Sequence, residues 1–486
     1  MEFRALYVGL YDDPHNSIDV QNSRLEHLRS LMSCEDRIIV PEFLVYEILA
    51  QGRRKSKTAP GKDLISWGAL ACLPPRAVSR LVALVELRVN GDSGHSHIMN
   101  EWCSIVVNLI PKIHNPSLSK HWRPIALTSC LQKLYLSVVA RLLQYFCSPP
   151  LANQLGFTQG KQCAELSEFV RLALQKSSQW GIDLFVLKLD VFKAFDTMRH
   201  DTILERLIDC QCPVKLQHAV MCELAHGTIA LKFQGESWDG LRYSRGGRQG
   251  GAETPELWKR VLNVAVSRAK VRWDLLGLPA VFGDRDSPED RCDIDFLAWA
   301  DDLVLFSNTL DGIHSMFKIL DEELHRVFLS IKPGSLELLR CGGGWVAKEF
   351  VWGGACGISH TISLRENMVL LGVAVDSVGS AVCSLEHRMA QGWVHWHARK
   401  NCFVATSFLC AFGGAGYVKR SFAQCCLVRV AGNYLMVSSP NSTAWKTKCS
   451  SSFCAGPHGP VNPLRTSIVG LTAKSVTSRR NGVGLP

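Results

Sequence analysis

Two short apolar runs in this chain end in acids. Leu184-Phe185-Val186-Leu187-Lys188-Leu189-Asp190 reads as a strand closed by a carboxylate. Asp295 to Ser307 reads as strand, turn, strand, with Asp301 and Asp302 at the turn between two hydrophobic runs. Taken singly, each Asp is an ordinary turn residue. Taken together they constrain the fold, because adjacent carboxylates between apolar strands repel and raise each other's pKa. A bound divalent cation removes that cost. If the strand ending at Asp190 lies beside the hairpin, three carboxylates meet at one sheet edge. Such a set suits two Mg²⁺ ions about 4 Å apart, stabilising the attacking and leaving oxygens of a phosphoryl displacement. Oxygen donors without His or Cys fit a hard cation better than zinc.

The surrounding pattern is α+β. Helices are predicted over Val40 to Ala50 (begun by Pro41), Leu131 to Leu143, His200 to Ile208 and Pro255 to Lys270, and a strand over Thr228 to Phe233. The cleanest helix carries Ile313, Met316, Phe317, Leu320, Leu324, Val327 and Phe328 on one stripe, which reads as a packing face. Strands and helices in irregular alternation predict helices backing an antiparallel sheet.

With 47% hydrophobic and 20% charged residues, the 486-residue chain has a globular composition. Its net charge of +10 is unevenly placed: no Asp or Glu follows Glu386, while the remaining hundred residues hold 12 Lys and Arg, which leaves −2 for the first 386. That acid-free end reads either as a polyanion-binding tail or as a decayed reading frame. Gly52-Arg53-Arg54-Lys55-Ser56-Lys57 is a basic loop, open to reading as a nuclear signal, a phosphate contact or a solvated stretch. The 19 Cys are mostly scattered and include no C-x-x-C pair, which points to a reducing compartment. Cys449, Cys454 and His458 lack a fourth zinc ligand. The longest uncharged run, Asn401 to Val418, is shorter than the ~20 apolar residues of a membrane span. The expected setting is therefore intracellular, nuclear or cytoplasmic, with no membrane partner.

Seven motifs, in order, resemble the reverse transcriptases of non-LTR (LINE-type) retrotransposons across roughly residues 40–400. They are Ala59-Pro60-Gly61-Lys62-Asp63; Ile110-Pro111-Lys112 with Trp122-Arg123-Pro124-Ile125-Ala126-Leu127; Gln154-Leu155-Gly156-Phe157 with Gly160; Leu189-Asp190-Val191-Phe192-Lys193-Ala194-Phe195-Asp196; Arg245-Gly246-Gly247-Arg248-Gln249-Gly250 through Thr254-Pro255; Ala300-Asp301-Asp302; and Leu371-Gly372-Val373. The resemblance implies a right-hand polymerase with fingers, an antiparallel-sheet palm and a partial thumb. It implies RNA-directed DNA synthesis, in which dNTPs are added to a DNA 3′-OH on an RNA template with Mg²⁺, or Mn²⁺, as cofactor. Its partners would be the RNA template, a DNA primer or target, and dNTPs.

Carried over residue by residue, Asp190, Asp301 and Asp302 are the catalytic metal ligands. Phe195 is the plate under the incoming sugar that excludes a 2′-hydroxyl, although a Phe is also commonly a core residue. Lys112, Arg123, Arg248, Gln249 and Gly250 are assigned to the nucleotide. Three departures stand out. Gly251-Ala252-Glu253 puts a charge where the family often has Cys-Pro-Leu. Trp299 replaces the usual Phe or Tyr before Ala-Asp-Asp, and Ser335 occupies the place of the family's lysine, leaving Lys332 as the candidate general acid. The expected layout is a lead-in over 1–50, fingers over 51–183, palm over 184–345, connection and partial thumb over 346–436, and a basic tail over 437–486 whose composition is that of a disordered segment. No nuclease is recognisable beside it, so an isolated polymerase module or a truncated element is expected. Two alternatives stand beside the polymerase. One is a catalytically impaired relic that only binds nucleic acid. The other is an RNA-dependent RNA polymerase, which the Asp190 and Asp196 spacing would suit and Phe195 argues against.

Overall fold

The computed structural model describes residues 9, 11–56, 58–91, 102–111, 113, 115–118, 121–233, 236–248, 250–283, 291–343, 347–394, 396, 427–430 and 433–436. The chain divides into two units, Met1–Arg388 and Met389–Pro486. In the second, the strands Leu427–Val430 and Asn433–Met436 pair as an antiparallel hairpin. The predicted tail and the Cys449, Cys454 and His458 group lie outside the described residues.

In the first unit, β1 (Ser104–Pro111), β2 (Trp122–Leu127), β3 (Leu184–Asp190), β4 (Thr228–Phe233) and β5 (Glu236–Arg242) precede the long helix Thr254–Leu275. Then come β6 (Ala280–Phe282), β7 (Cys292–Ile294), β8 (Phe296–Trp299), β9 (Asp302–Ser307), the helix Leu310–Arg326, β10 (Glu337–Cys341), β11 (Glu349–Gly353) and β12 (Ser359–Arg365). A six-stranded sheet runs β11-β12-β10-β3-β9-β8, and a four-stranded sheet runs β2-β1-β4-β5. The second sheet joins strands from both sides of the predicted boundary at residue 184, since β1 and β4 pair in parallel.

The inner strands β3 and β9 of the six-stranded sheet are apolar runs rather than alternations because both faces are covered there. Phe185, Leu187 and Leu189 of β3 join the large core with Leu303 and Leu305 of β9. There they meet Ile313, Met316, Phe317, Leu320 and Leu324 of the helix Leu310–Arg326 and Leu257, Val261 and Val266 of the helix Thr254–Leu275. Leu184 and Val186 point the other way with Val304 and Phe306, against Leu166, Val170 and Leu174 of the helix Cys163–Trp180. A seven-residue strand filled with apolar groups on both sides has one place left for a carboxylate, its end.

Phe328 corrects the predicted stripe. The helix stops at Arg326, and Phe328 lies beyond it at φ +59, 56% exposed. Its ring carries the Arg199 guanidinium 4.2 Å above it.

Candidate active site

The register of the sheet brings the acids together. β3 and β9 pair antiparallel with Asp190 opposite Asp302, and the Val191 N–H donates to Asp301 O at 2.9 Å. Asp302 is therefore the first residue of β9 rather than a turn residue, and Ala300 and Asp301 make the turn, Ala300 at φ +57. The Trp258 indole N–H donates to Ala300 O at 2.9 Å and anchors that turn to the long helix. The Gln154-Leu155-Gly156-Phe157 segment runs alongside, with Leu155 N–H donating to Ala298 O at 2.9 Å. Gly156 is required there, because a Cβ would collide with the backbone of Ala300. The half-buried Phe195 ring stands between Phe157 at 5.8 Å and Trp258 at 5.7 Å.

The electrostatics of the three acids suit a divalent cation. Burial first, then the Asp190 carboxylate, pushes Asp302 up to about 7, and burial likewise raises Asp301. Burial opposes ionisation of Asp190 too, but the hydrogen bond with Asp302 and the Lys332 ammonium hold it below its ordinary value. Asp190 Oδ1 is buried without a hydrogen-bond partner. Partly buried carboxylates at one strand edge, one with an orphaned oxygen, and no soft donor beside them fit a hard divalent ion. Among the described residues, no group of three His, Cys, Asp or Glu closes around one point, so the acids share an edge without forming a finished cage.

Lys332 reaches this edge. Its Nζ lies 2.9 Å from Asp190 Oδ2, and its N–H donates to Asp190 O at 2.9 Å. Ser335, in the family lysine's place, accepts from the Asp190 N–H at 3.1 Å and donates to Lys332 O at 2.8 Å. The serine ties down the loop from which Lys332 extends.

The remaining predicted residues separate. Lys112 and Gln249 lie outside the described residues. Arg123 lies in β2, opposite Ile110 of β1. Gly250 is exposed at φ +95.

Arg248 corrects the expectation of a nucleotide contact. It is 1% exposed and turned inward, its Nη1 2.9 Å from Glu223 Oε2. Glu223 also accepts from Arg88 Nε at 2.9 Å and Gln132 Nε2 at 3.1 Å. Arg248 is thus a buried clamp under the glycine-rich loop. Sequence reading missed it because a buried Arg is legible only once its partner is known, and Glu223 carries no motif.

Glu253, the charge out of keeping with the family pattern, is buried with both carboxylate oxygens unpartnered, and burial pushes it up to about 7. Its folded value lies above the ordinary 4.5, so this group's contribution to stability is complete below about 4.5 and is lost as pH rises toward 7. Glu253→Gln is expected to remove that loss and to stabilise the chain above pH 7 by up to about 3 kcal/mol, as read in urea melts from pH 4.5 to 8.

Helices over a mixed sheet with acids at adjacent strand ends agree with the α+β, right-hand polymerase class that the sequence pattern implied. Residues 110–340 match the family described as reverse transcriptase (RNA-dependent DNA polymerase). The chain is 29% identical over 233 residues to the Pol polyprotein of the type-2 retrotransposable element R2DM of Drosophila melanogaster, covering 48% of this chain and 20% of that protein. It is 25% identical over 290 residues to the Pol polyprotein of the type-1 element R2 of Popillia japonica, covering 59% and 38%. A solved apo telomerase from Candida tropicalis aligns with 13% identity and a TM-score of 0.38, covering 57% of this chain and 54% of that one. Residues 110–340 thus match a reverse transcriptase domain, and the chain is similar to the Pol polyproteins of R2 retrotransposable elements. It spans between a fifth and two fifths of the curated relatives' lengths. That family works with a divalent metal and a nucleic-acid template. Among the described residues no helix is long and apolar enough to cross a membrane.

Proposed function

We propose that this chain copies RNA into DNA, adding dNTPs to a DNA 3′-OH and releasing pyrophosphate. The observation that carries the reading is the pairing of Asp190 with Asp302 at one sheet edge beside Asp301, with an Asp190 oxygen left unpartnered. Mg²⁺, held by these three carboxylates and by substrate phosphates, would supply charge stabilisation for the attacking and leaving oxygens. The chain's own residues position the reactants. Phe195, braced by Phe157 and Trp258, excludes a 2′-hydroxyl, and Lys332 supplies a proton to the leaving group from the loop that Ser335 fixes. Lys112, Arg123, Gln249 and Gly250 serve the triphosphate and template. Residues 51–183 act as fingers, 184–345 as palm and 346–436 as connection and partial thumb. The similarity to reverse transcriptases favours this reading over a binding relic or an RNA-copying RNA polymerase.

The test is primer extension on an RNA template with purified chain and Mg²⁺. Extension by the wild type and its loss in Asp301→Ala are expected, and undiminished extension by that variant would remove the metal assignment. Phe195→Ala is expected to weaken discrimination against ribonucleotides by about 10- to 200-fold, measured as the ratio of kcat/KM for dNTP and rNTP.

A further inference from the structure

Gly9 and Tyr11 to Asn16 lie outside residues 110–340, which carry the family match, yet they pack against the start of the glycine-rich loop. The Ser244 and Arg245 N–H groups both donate to Tyr11 O, at 3.0 and 3.1 Å, and Arg245 Nη2 donates to Gly9 O at 2.8 Å. Tyr11 is buried, with its ring edge-on to Tyr243 at 4.5 Å. Its hydroxyl donates to Asp196 Oδ1 at 2.8 Å. Asp196 follows Phe195 directly, on the short helix Ala194–Thr197. One tyrosine thus holds the loop by its backbone and the helix of Phe195 by its side chain.

A second arm ends at the same place. Asn16 is buried, and Arg24 Nη1 donates to its Oδ1 at 3.0 Å. A guanidinium can only donate, so this contact fixes the amide with its N–H groups turned inward. One faces Ser244 O, and the other donates to His200 Nδ1 at 3.2 Å. An accepting Nδ1 leaves the ring proton on Nε2, which donates to Gly246 O at 3.0 Å. Burial pushes His200 down to about 4, so the ring is neutral near pH 7 and keeps these roles. The two glycines then close on the helix of Phe195. The Gly246 N–H donates to Met198 O at 2.6 Å, and the Gly247 N–H donates to Phe195 O at 2.8 Å. Gly246 takes φ +78, and a Cβ there would strike Asp196 O. Both arms therefore converge on the backbone around Phe195, through buried polar groups that specify a single arrangement.

On the reading of Phe195 as the plate under the incoming sugar, on which this inference rests, we propose that Tyr11 and Asn16 are positioning residues for sugar selection. A ring that can retreat by a fraction of an ångström admits a 2′-hydroxyl, so a steric gate is only as selective as its backing is rigid. Phe157 and Trp258 brace the ring itself. Tyr11, through Asp196, and Asn16, through His200 and Gly246, brace the backbone that carries it. Both act through Phe195, and neither is a catalytic residue.

The experiment measures kcat/KM for dNTP and rNTP by primer extension with the full chain. It compares wild type, Tyr11→Phe, Asn16→Ala, Phe195→Ala and the Tyr11→Phe/Phe195→Ala double variant. Tyr11→Phe removes one hydroxyl and is expected to lower the dNTP-to-rNTP ratio by about two- to tenfold, the scale of one hydrogen bond. The fall should come from better use of rNTP, with dNTP use nearly unchanged. Asn16→Ala should act in the same direction. A variant that merely folds less well loses both substrates alike, and a ratio taken on one preparation is independent of the folded fraction. Without the Phe195 ring, Tyr11→Phe should change the ratio no further. An unchanged ratio in both single variants, or an undiminished effect of Tyr11→Phe in the Phe195→Ala background, would overturn the proposal and leave the polymerase reading in place. A wild type without extension, or Phe195→Ala with unaltered discrimination, would overturn that reading and the proposal together.

Discussion

Asp190→Asn is expected to reduce RNA-templated extension by about 10³-fold or more while the chain stays folded. The strand does not depend on the carboxylate, since Leu184 through Leu189 lock β3 between two cores. The amide is isosteric, and the partner it abandons, Lys332, is about half exposed, so the lost ion pair contributes little to stability. What disappears is the negative charge of a carboxylate with one buried, unpartnered oxygen. A variant retaining extension within tenfold of the wild type, with an unchanged melt, would show that the chemistry lies elsewhere.

The second large effect is on stability. Glu223→Ala is expected to destabilise the chain by about 3–5 kcal/mol, read as a lower urea midpoint, because two buried guanidiniums lose their shared counter-ion. Arg88 and Arg248 both rest on this carboxylate, which they hold down to about 2 against the effect of burial. Arg88 also lies over the Tyr135 ring at 4.7 Å, so it cannot swing out to water without unpacking the core. Replacing Arg88, Glu223 and Arg248 together with apolar residues of similar volume should cost less than Glu223→Ala alone. The reverse order would mean that the charges stabilise the fold in their own right rather than merely satisfying one another.

Legibility in the sequence followed range. β3 and β4 were readable to the residue because short, mostly apolar runs between polar ends leave little choice, and in β3 the terminal acid stood out against the run. The helix Thr254–Leu275 was readable from its proline, but its last turn was not, because Val271 and Leu275 are exposed apolar residues that extend no clear stripe. Asp302 was read as a turn residue; its place at the start of β9 depends on the pairing with Asp190, more than a hundred positions earlier. Arg248 and its partner Glu223 were illegible for the same reason. Each becomes meaningful only beside a partner that the fold supplies from a distant part of the chain. The Lys332 contact lay between: sequence offered the lysine as a substitute for the missing one, and only the loop geometry of Ser335 shows how it reaches Asp190.

The order of the six-stranded sheet carries a consequence for synthesis. β3 sits at its middle, yet its two neighbours, β9 and β10, emerge from the ribosome more than a hundred residues later. Throughout that interval the strand presents two unsatisfied edges and two greasy faces, the condition under which nascent chains stick to one another. Translation halted anywhere before about residue 341 would release a polypeptide with its central strand unpaired on at least one side. Such fragments should depend on chaperones for solubility in a way that the finished protein does not.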